Sequence, residues 1–236
     1  MSSLGEPWEM IIADDGSTDT TVELVEDLGL VNLRLLKADR NVGKGSAVRR
    51  GVLASQGEIV LFADADQSTP IEQFERLAGV LRDGYDVVVG SRAAEGADVA
   101  NKSFARKLFS TGLNLIVRGA FRIPVADTQC GFKMFTAEAA EQLFRRGLVD
   151  EFSFDLEVLY LARKFGLRTA EVPVNWIDAP GSKVNPGKVA IEFLRDLSKI
   201  RWNDFRGRYD RDNHRSDRPA RQIDANANAN ANTQAG

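Results

Sequence analysis

Glu58-Ile-Val-Leu-Phe-Ala-Asp64-Ala65-Asp66 decides the reading of this chain. Five apolar residues in a row form a segment of strand length, buried on both faces as strands of parallel sheets are. The run stops at two carboxylates spaced i and i+2. In parallel sheets, ligands bind outside the carboxyl ends of strands. Hard oxygen ligands at such an end suit Mg²⁺ or Mn²⁺, with nucleotide phosphates completing the shell. Asp64 and Asp66 are therefore candidate metal ligands, with Ala65 between them at the donor site.

The neighbouring segments repeat the pattern. Glu9-Met-Ile-Ile-Ala reads as a strand that ends in Asp14-Asp-Gly-Ser-Thr-Asp19, a turn and helix-start signature. A helix is expected over 20–28, a strand over 33–36 and a helix over 44–55. Beyond the acidic pair the pattern predicts an amphipathic helix over 71–83 and a strand over 86–90. This alternation is the signature of βαβ units, so the expected fold is α/β: a mostly parallel central sheet with flanking helices, Rossmann-like. Further helices are expected over 137–146, 154–165 and 187–200, and a late strand over 169–176. Residues 102–121 carry an apolar face flanked by Lys102, Arg106, Lys107, Arg118 and Arg122. That face fits either a core helix or an element lying on a membrane surface.

Composition excludes several classes. The chain has 236 residues, which suits one α/β domain, and 43% of them are hydrophobic, enough for a core. A net charge of −3 gives no whole-chain field for nucleic acid. A single cysteine, Cys130, excludes an internal disulfide and a multi-cysteine zinc site. The one histidine, His214, lies in a polar stretch and is a poor catalytic base. No apolar run reaches the roughly 18 residues of a membrane span. A cytoplasmic protein, peripheral at the membrane face, is the expectation. From about residue 210 the composition turns polar, ending in alternating Ala and Asn that cannot build a core. The expected division is a domain over 1–209 and a disordered tail over 210–236.

Several motifs carry two readings. In Asp14–Asp19 a carboxylate could accept from a base N–H or a ribose hydroxyl, or Ser17 or Thr18 could simply cap a helix. Asn41-Val-Gly-Lys44-Gly-Ser46 fails the phosphate-loop spacing, because Ala38 and Gly45 stand where Gly and Ser/Thr are required. Its glycines still allow close approach of backbone to a ligand. Arg92, at the end of the Gly90-Ser-Arg92 stretch, could bind a phosphate bidentately. Asp127-Thr-Gln-Cys-Gly-Phe-Lys133 packs polar, small and cationic residues together, and Lys183 sits in the Pro180-Gly-Ser-Lys183 loop.

Taken in order, these motifs, with Phe154-Asp-Leu-Glu157, Glu171-Val-Pro-Val174 and Trp176, resemble family 2 glycosyltransferases over residues 9 to about 200. The nearest group is the dolichyl-phosphate glucosyltransferases and dolichol-phosphate mannose synthases. The resemblance implies a GT-A nucleotide-diphospho-sugar transferase that inverts the anomeric centre. It implies a nucleotide sugar donor, a polyisoprenyl phosphate acceptor and a membrane surface as partners. Asp15, beside Asp14, would meet the base or ribose. Asp64 and Asp66 would hold the metal and diphosphate. Lys44 would belong to the donor site, Arg92, Lys133 and Lys183 would meet phosphates of donor or acceptor, and Asp66, Asp127 and Arg92 would form the catalytic group. Ser68 stands where mannose synthases carry Gln, which puts a third protein ligand in doubt. The stretch ending at Lys133, with Trp176, looks more like the glucosyl branch, so UDP-glucose is the expected donor. GDP-mannose, a polysaccharide or protein acceptor, and an inactive nucleotide-sugar-binding remnant are the alternatives. The family's opening strand, with a Pro-x-Tyr-Asn-Glu-like motif, has no counterpart ahead of Trp8, so an N-terminally truncated domain is expected.

Overall fold

The computed structural model describes residues 7–97, 119, 121–177 and 186–210, with backbone alone over 186–194. Its elements are β1 (Met10–Ala13), α1 (Thr21–Glu26), β2 (Leu33–Leu36), α2 (Lys44–Ala54), β3 (Ile59–Ala63), α3 (Phe74–Arg82), β4 (Val87–Ser91), β5 (Phe132–Thr136), α4 (Ala137–Arg146), α5 (Phe154–Lys164), β6 (Thr169–Pro173) and α6 (Pro186–Phe205). Short 3₁₀ turns occupy Ile71–Gln73 and Arg208–Asp210.

The described strands form two hydrogen-bonded sets rather than one expected sheet. β1 and β2 pair in parallel, Met10 opposite Leu33. The other four run in the order β3-β5-β4-β6. There β3, β4 and β6 share one direction and β5 is antiparallel to both of its neighbours. Helix α2 lies against both β1 and β3 and so ties the two sets together.

β5 was not expected as a strand, because its first residues close the polar Asp127–Lys133 stretch. Side chains of a strand alternate between faces. Phe132 and Met134 join Val88, Val172 and the α3 residues Leu77, Ala78 and Leu81 on one face of the sheet. Phe135 joins Val87, Val89, Phe62 and the residues of α4 and α5 on the other. The sheet is thus covered on both sides. Each fully buried Val, Leu or Phe here is worth about 1.5–3 kcal/mol relative to exposure. Thr136 ends the strand and caps α4, its hydroxyl accepting from Ala139 N at 3.2 Å.

Most expected boundaries are met within a residue or two. The 71–83 helix opens as a 3₁₀ turn, and the last helix runs on to Phe205. Residues 102–118, Lys183 and the tail beyond 210 lie outside the described residues. Among the described residues no helix is long and apolar enough to cross a membrane.

Candidate active site

Because β3 and β4 point the same way, Asp64 and Arg92 leave the sheet at the same edge. Asp64, Asp66, Ser68, Arg92, Gln129, Gly131 and Trp176 line one polar pocket there. Gly131 is its floor. Asp64 N donates to Gly131 O at 2.9 Å, which lays the Asp64 side chain over the glycine. A Cβ on Gly131 would occupy the place of the Asp64 carboxylate. That glycine looks like ordinary loop sequence until the β3/β5 register puts Phe132 opposite Ala63.

Asp64 also meets Lys44, the first residue of α2, with Nζ 2.7 Å from Oδ1. The ammonium stands 5.6 Å from the ring centroids of both Phe62 and Phe152. Asp66 is exposed, and its Oδ1 accepts from Ser68 N at 2.9 Å. Between them the chain turns sharply, with Gln67 in the left-handed region at φ 51°. Ser68 O accepts from Ile177 N at 2.8 Å, so the acidic turn is fastened beside Trp176. Ala65 is exposed in this turn and can offer only backbone.

Arg92 and Asp127 form a two-pronged pair. Nε donates to Oδ2 at 2.6 Å and Nη2 to Oδ1 at 2.8 Å, while Arg92 N donates to Oδ2 at 3.0 Å. Glu171 holds the Asp127 backbone in turn, accepting from Ala126 N and Asp127 N at 3.0 Å. The Arg92 guanidinium lies 5.5 Å from the Trp176 ring centroid. Burial pushes the Asp127 carboxyl up, but Arg92 outweighs it and holds the group below the usual carboxylate range. Asp127 is therefore ionised and committed to Arg92. In this structure its carboxylate is engaged by Arg92, another member of the expected catalytic group.

The expectation for Lys133 is corrected. Strand alternation turns it to the α5 side of the sheet, where Nζ lies 2.5 Å from Asp155 Oδ1 and 2.6 Å from Cys130 O. The side chains of Lys133 and Asp155 are 1% and 5% exposed, so no phosphate reaches this lysine. It steadies the Asp127–Gly131 stretch from below through Cys130 O. Burial raises the Asp155 carboxyl and Lys133 opposes that rise.

The first acidic cluster is spent on its own turn. Asp14 accepts from Gly16 N at 3.0 Å and Ser17 N at 3.1 Å, and the Ser17 side chain is the largest influence lowering its pKa. Asp15 accepts from Val42 N and from Gly43 N at 2.7 Å, with Arg50 3.6 Å away. These bonds tie it to the segment that opens α2, and so to the position of Lys44. Neither Ser17 nor Thr18 caps α1. Thr20 is the cap residue and makes no side-chain cap bond, while Asp19, one residue earlier, accepts from Thr21 N at 3.0 Å.

The residues present fit a divalent cation. Two carboxylates flank the pocket, and the absent side chain of Gly131 makes the space that the Asp64 carboxylate occupies. Among the described residues no third acidic, histidine or cysteine side chain joins them, so a nucleotide diphosphate would have to supply further oxygens.

Comparison with known proteins agrees with this arrangement. The family model described as glycosyl transferase family 2 matches residues 2–144. A dolichyl-phosphate beta-glucosyltransferase of Dictyostelium discoideum is 39% identical over 205 residues, covering 83% of this chain and 63% of the relative. The human protein of that name is 37% identical, covering 82% and 63%. That of Saccharomyces cerevisiae is 33% identical, covering 89% and 68%. The chain thus spans slightly less than two thirds of the length of the first two relatives. Glucosyl-3-phosphoglycerate synthase of Mycobacterium tuberculosis, solved with phosphoglyceric acid, superposes with TM-score 0.60 at 21% identity, over 81% of this chain and 68% of that one. The same enzyme solved with Mn²⁺, UDP-glucose and phosphoglyceric acid gives 0.57 at 20%, over 80% and 66%. The fold is the GT-A fold of nucleotide-sugar transferases, and the chain belongs to glycosyl transferase family 2.

Proposed function

We propose that residues 1–209 form a catalytic unit that transfers glucose from UDP-glucose to a polyisoprenyl phosphate with inversion. The observation that carries this reading is the single polar pocket into which Asp64, Asp66 and Arg92 converge beside Trp176. The names of the relatives support the acceptor and sugar class.

Asp64 and Asp66 would hold Mg²⁺ or Mn²⁺. When bound, the cation offsets the charge that gathers on the departing diphosphate. Lys44, 2.7 Å from Asp64, is placed to add its charge to the same diphosphate. Arg92 would take the acceptor phosphate, with Asp127 holding its guanidinium in plane. That phosphate has a second pKa of roughly 6 and is already largely ionised at pH 7, so the site needs no strong base. This agrees with an Asp127 that is tied down. What these residues contribute is alignment of an existing oxyanion behind the anomeric carbon.

A polyprenyl tail does not leave a bilayer cheaply, so the enzyme works as a peripheral protein at a membrane surface. Transfer of labelled glucose from UDP-glucose, with GDP-mannose as competitor, to a short water-soluble prenyl phosphate tests the reading. A tenfold preference for GDP-mannose, about 1.4 kcal/mol, overturns the donor assignment.

A further inference from the structure

The outer side of α6 carries a stripe with an unusual make-up. Arg195, Ser198, Lys199, Trp202, Phe205 and Arg206 are all exposed, at the three- and four-residue spacing of one helix face. Trp202 is 57% and Phe205 84% exposed, and their rings stack at 6.1 Å. Arg206 lies over the indole at 5.4 Å. The opposite side of the helix is core, with Leu197 and Ile200 buried.

The described carboxylates of this part of the helix are largely covered, and one of them is spent on a stripe cation. Asp196 is 10% exposed on its side chain and pairs with Lys199 at 3.3 Å. Asp204 meets Lys164 at 2.5 Å and accepts from Tyr160. The outward stripe therefore joins cations to large aromatics with no exposed carboxylate among its described residues. We infer that it is a docking surface for an anionic lipid bilayer.

Charge selects this occupant. Arginine and lysine meet anionic head groups while Trp and Phe enter the boundary between head group and acyl chain. A second copy of the chain is disfavoured, because a two-fold contact would set like-charged stripes against each other. Phe121, the last residue of the 102–121 segment, is buried beside Tyr160, and its ring lies 5.6 Å from the Arg201 guanidinium of α6. The inference draws its biological sense from the lipid-phosphate reading, but its test needs neither donor nor acceptor.

The test is co-sedimentation of the whole chain with vesicles of phosphatidylcholine containing phosphatidylglycerol, against vesicles of phosphatidylcholine alone. Two variants accompany it, Trp202→Ser/Phe205→Ser and Arg195→Glu/Arg206→Glu. The wild type is expected to bind the anionic vesicles, and each variant to bind about tenfold more weakly, with melting temperature within about 2 °C of wild type. Binding by both variants equal to wild type, no binding by the wild type, or a wild-type dimer that Trp202→Ser/Phe205→Ser returns to monomer would each overturn the inference. Glucosyl transfer to a soluble prenyl phosphate reports on the proposed function separately and is expected to be unchanged in both variants.

Discussion

Lys44 Nζ stands 2.7 Å from Asp64 Oδ1, so the first acidic residue of the pocket is neutralised by the side chain that opens α2. The pair is only partly shielded, at 28% and 29% side-chain exposure. A divalent cation must compete with the ammonium for that oxygen. Lys44→Met is expected to raise the affinity for Mn²⁺ alone by about threefold or more and to weaken UDP binding in its presence. Titration calorimetry reads both. Unchanged affinity for Mn²⁺ alone would show that Lys44 does not guard the carboxylate.

Gly131 gives a prediction that depends on space alone. A methyl group there would take the position of the Asp64 carboxylate. Gly131→Ala is expected to abolish metal-linked UDP binding while circular dichroism shows a folded protein. Full binding by the variant would mean that Asp64 is not a ligand.

The buried Lys133–Asp155 pair predicts a stability effect rather than a kinetic one. Removing one partner strands the other charge in the core. Lys133→Met is expected to cost about 3 kcal/mol or more in denaturant unfolding. Lys133→Met with Asp155→Leu is expected to recover much of that loss. A loss below about 1 kcal/mol for the single change would contradict the burial of the pair.

These residues show where sequence reading reached its limit. Asp64, Asp66 and Arg92 were legible because each ends an apolar strand, and strand ends in an α/β sheet are where ligands sit. Lys133 is not legible as a core residue because its neighbours are polar and the stretch does not read as a strand. Only the alternation set by Phe132, Met134 and Phe135 reveals that it points to α5. Asp14 and Asp15 were read for their charge. Their carboxylates are consumed by backbone N–H groups of Gly16, Ser17, Val42 and Gly43, contacts that depend on where the chain returns. The role of Gly131 and the commitment of Asp127 to Arg92 are products of register and loop packing, which no single segment encodes.

The Arg92–Asp127 pair carries a pH signature. The folded-state pKa of Asp127 is lowered, so its stabilising effect is present above the ordinary carboxylate pKa of about 3.9 and is lost as pH falls through the lower folded value. The gap in melting temperature between wild type and Asp127→Asn is therefore expected to be widest near neutrality and to shrink below about pH 4. Transfer activity of the variant at pH 7 should fall through a higher KM for the acceptor. A gap that grows on acidification would refute the assignment.

Metal-linked transfer tests the account most directly. Wild-type protein, UDP-glucose, Mn²⁺ and a short polyprenyl phosphate are expected to yield a β-linked glucosyl phosphate lipid, the α-linked donor having been inverted. EDTA or Asp66→Ala should abolish the product without unfolding the protein, since Asp66 is exposed and outside the core. Equal turnover in EDTA, or an α-linked product, would contradict it.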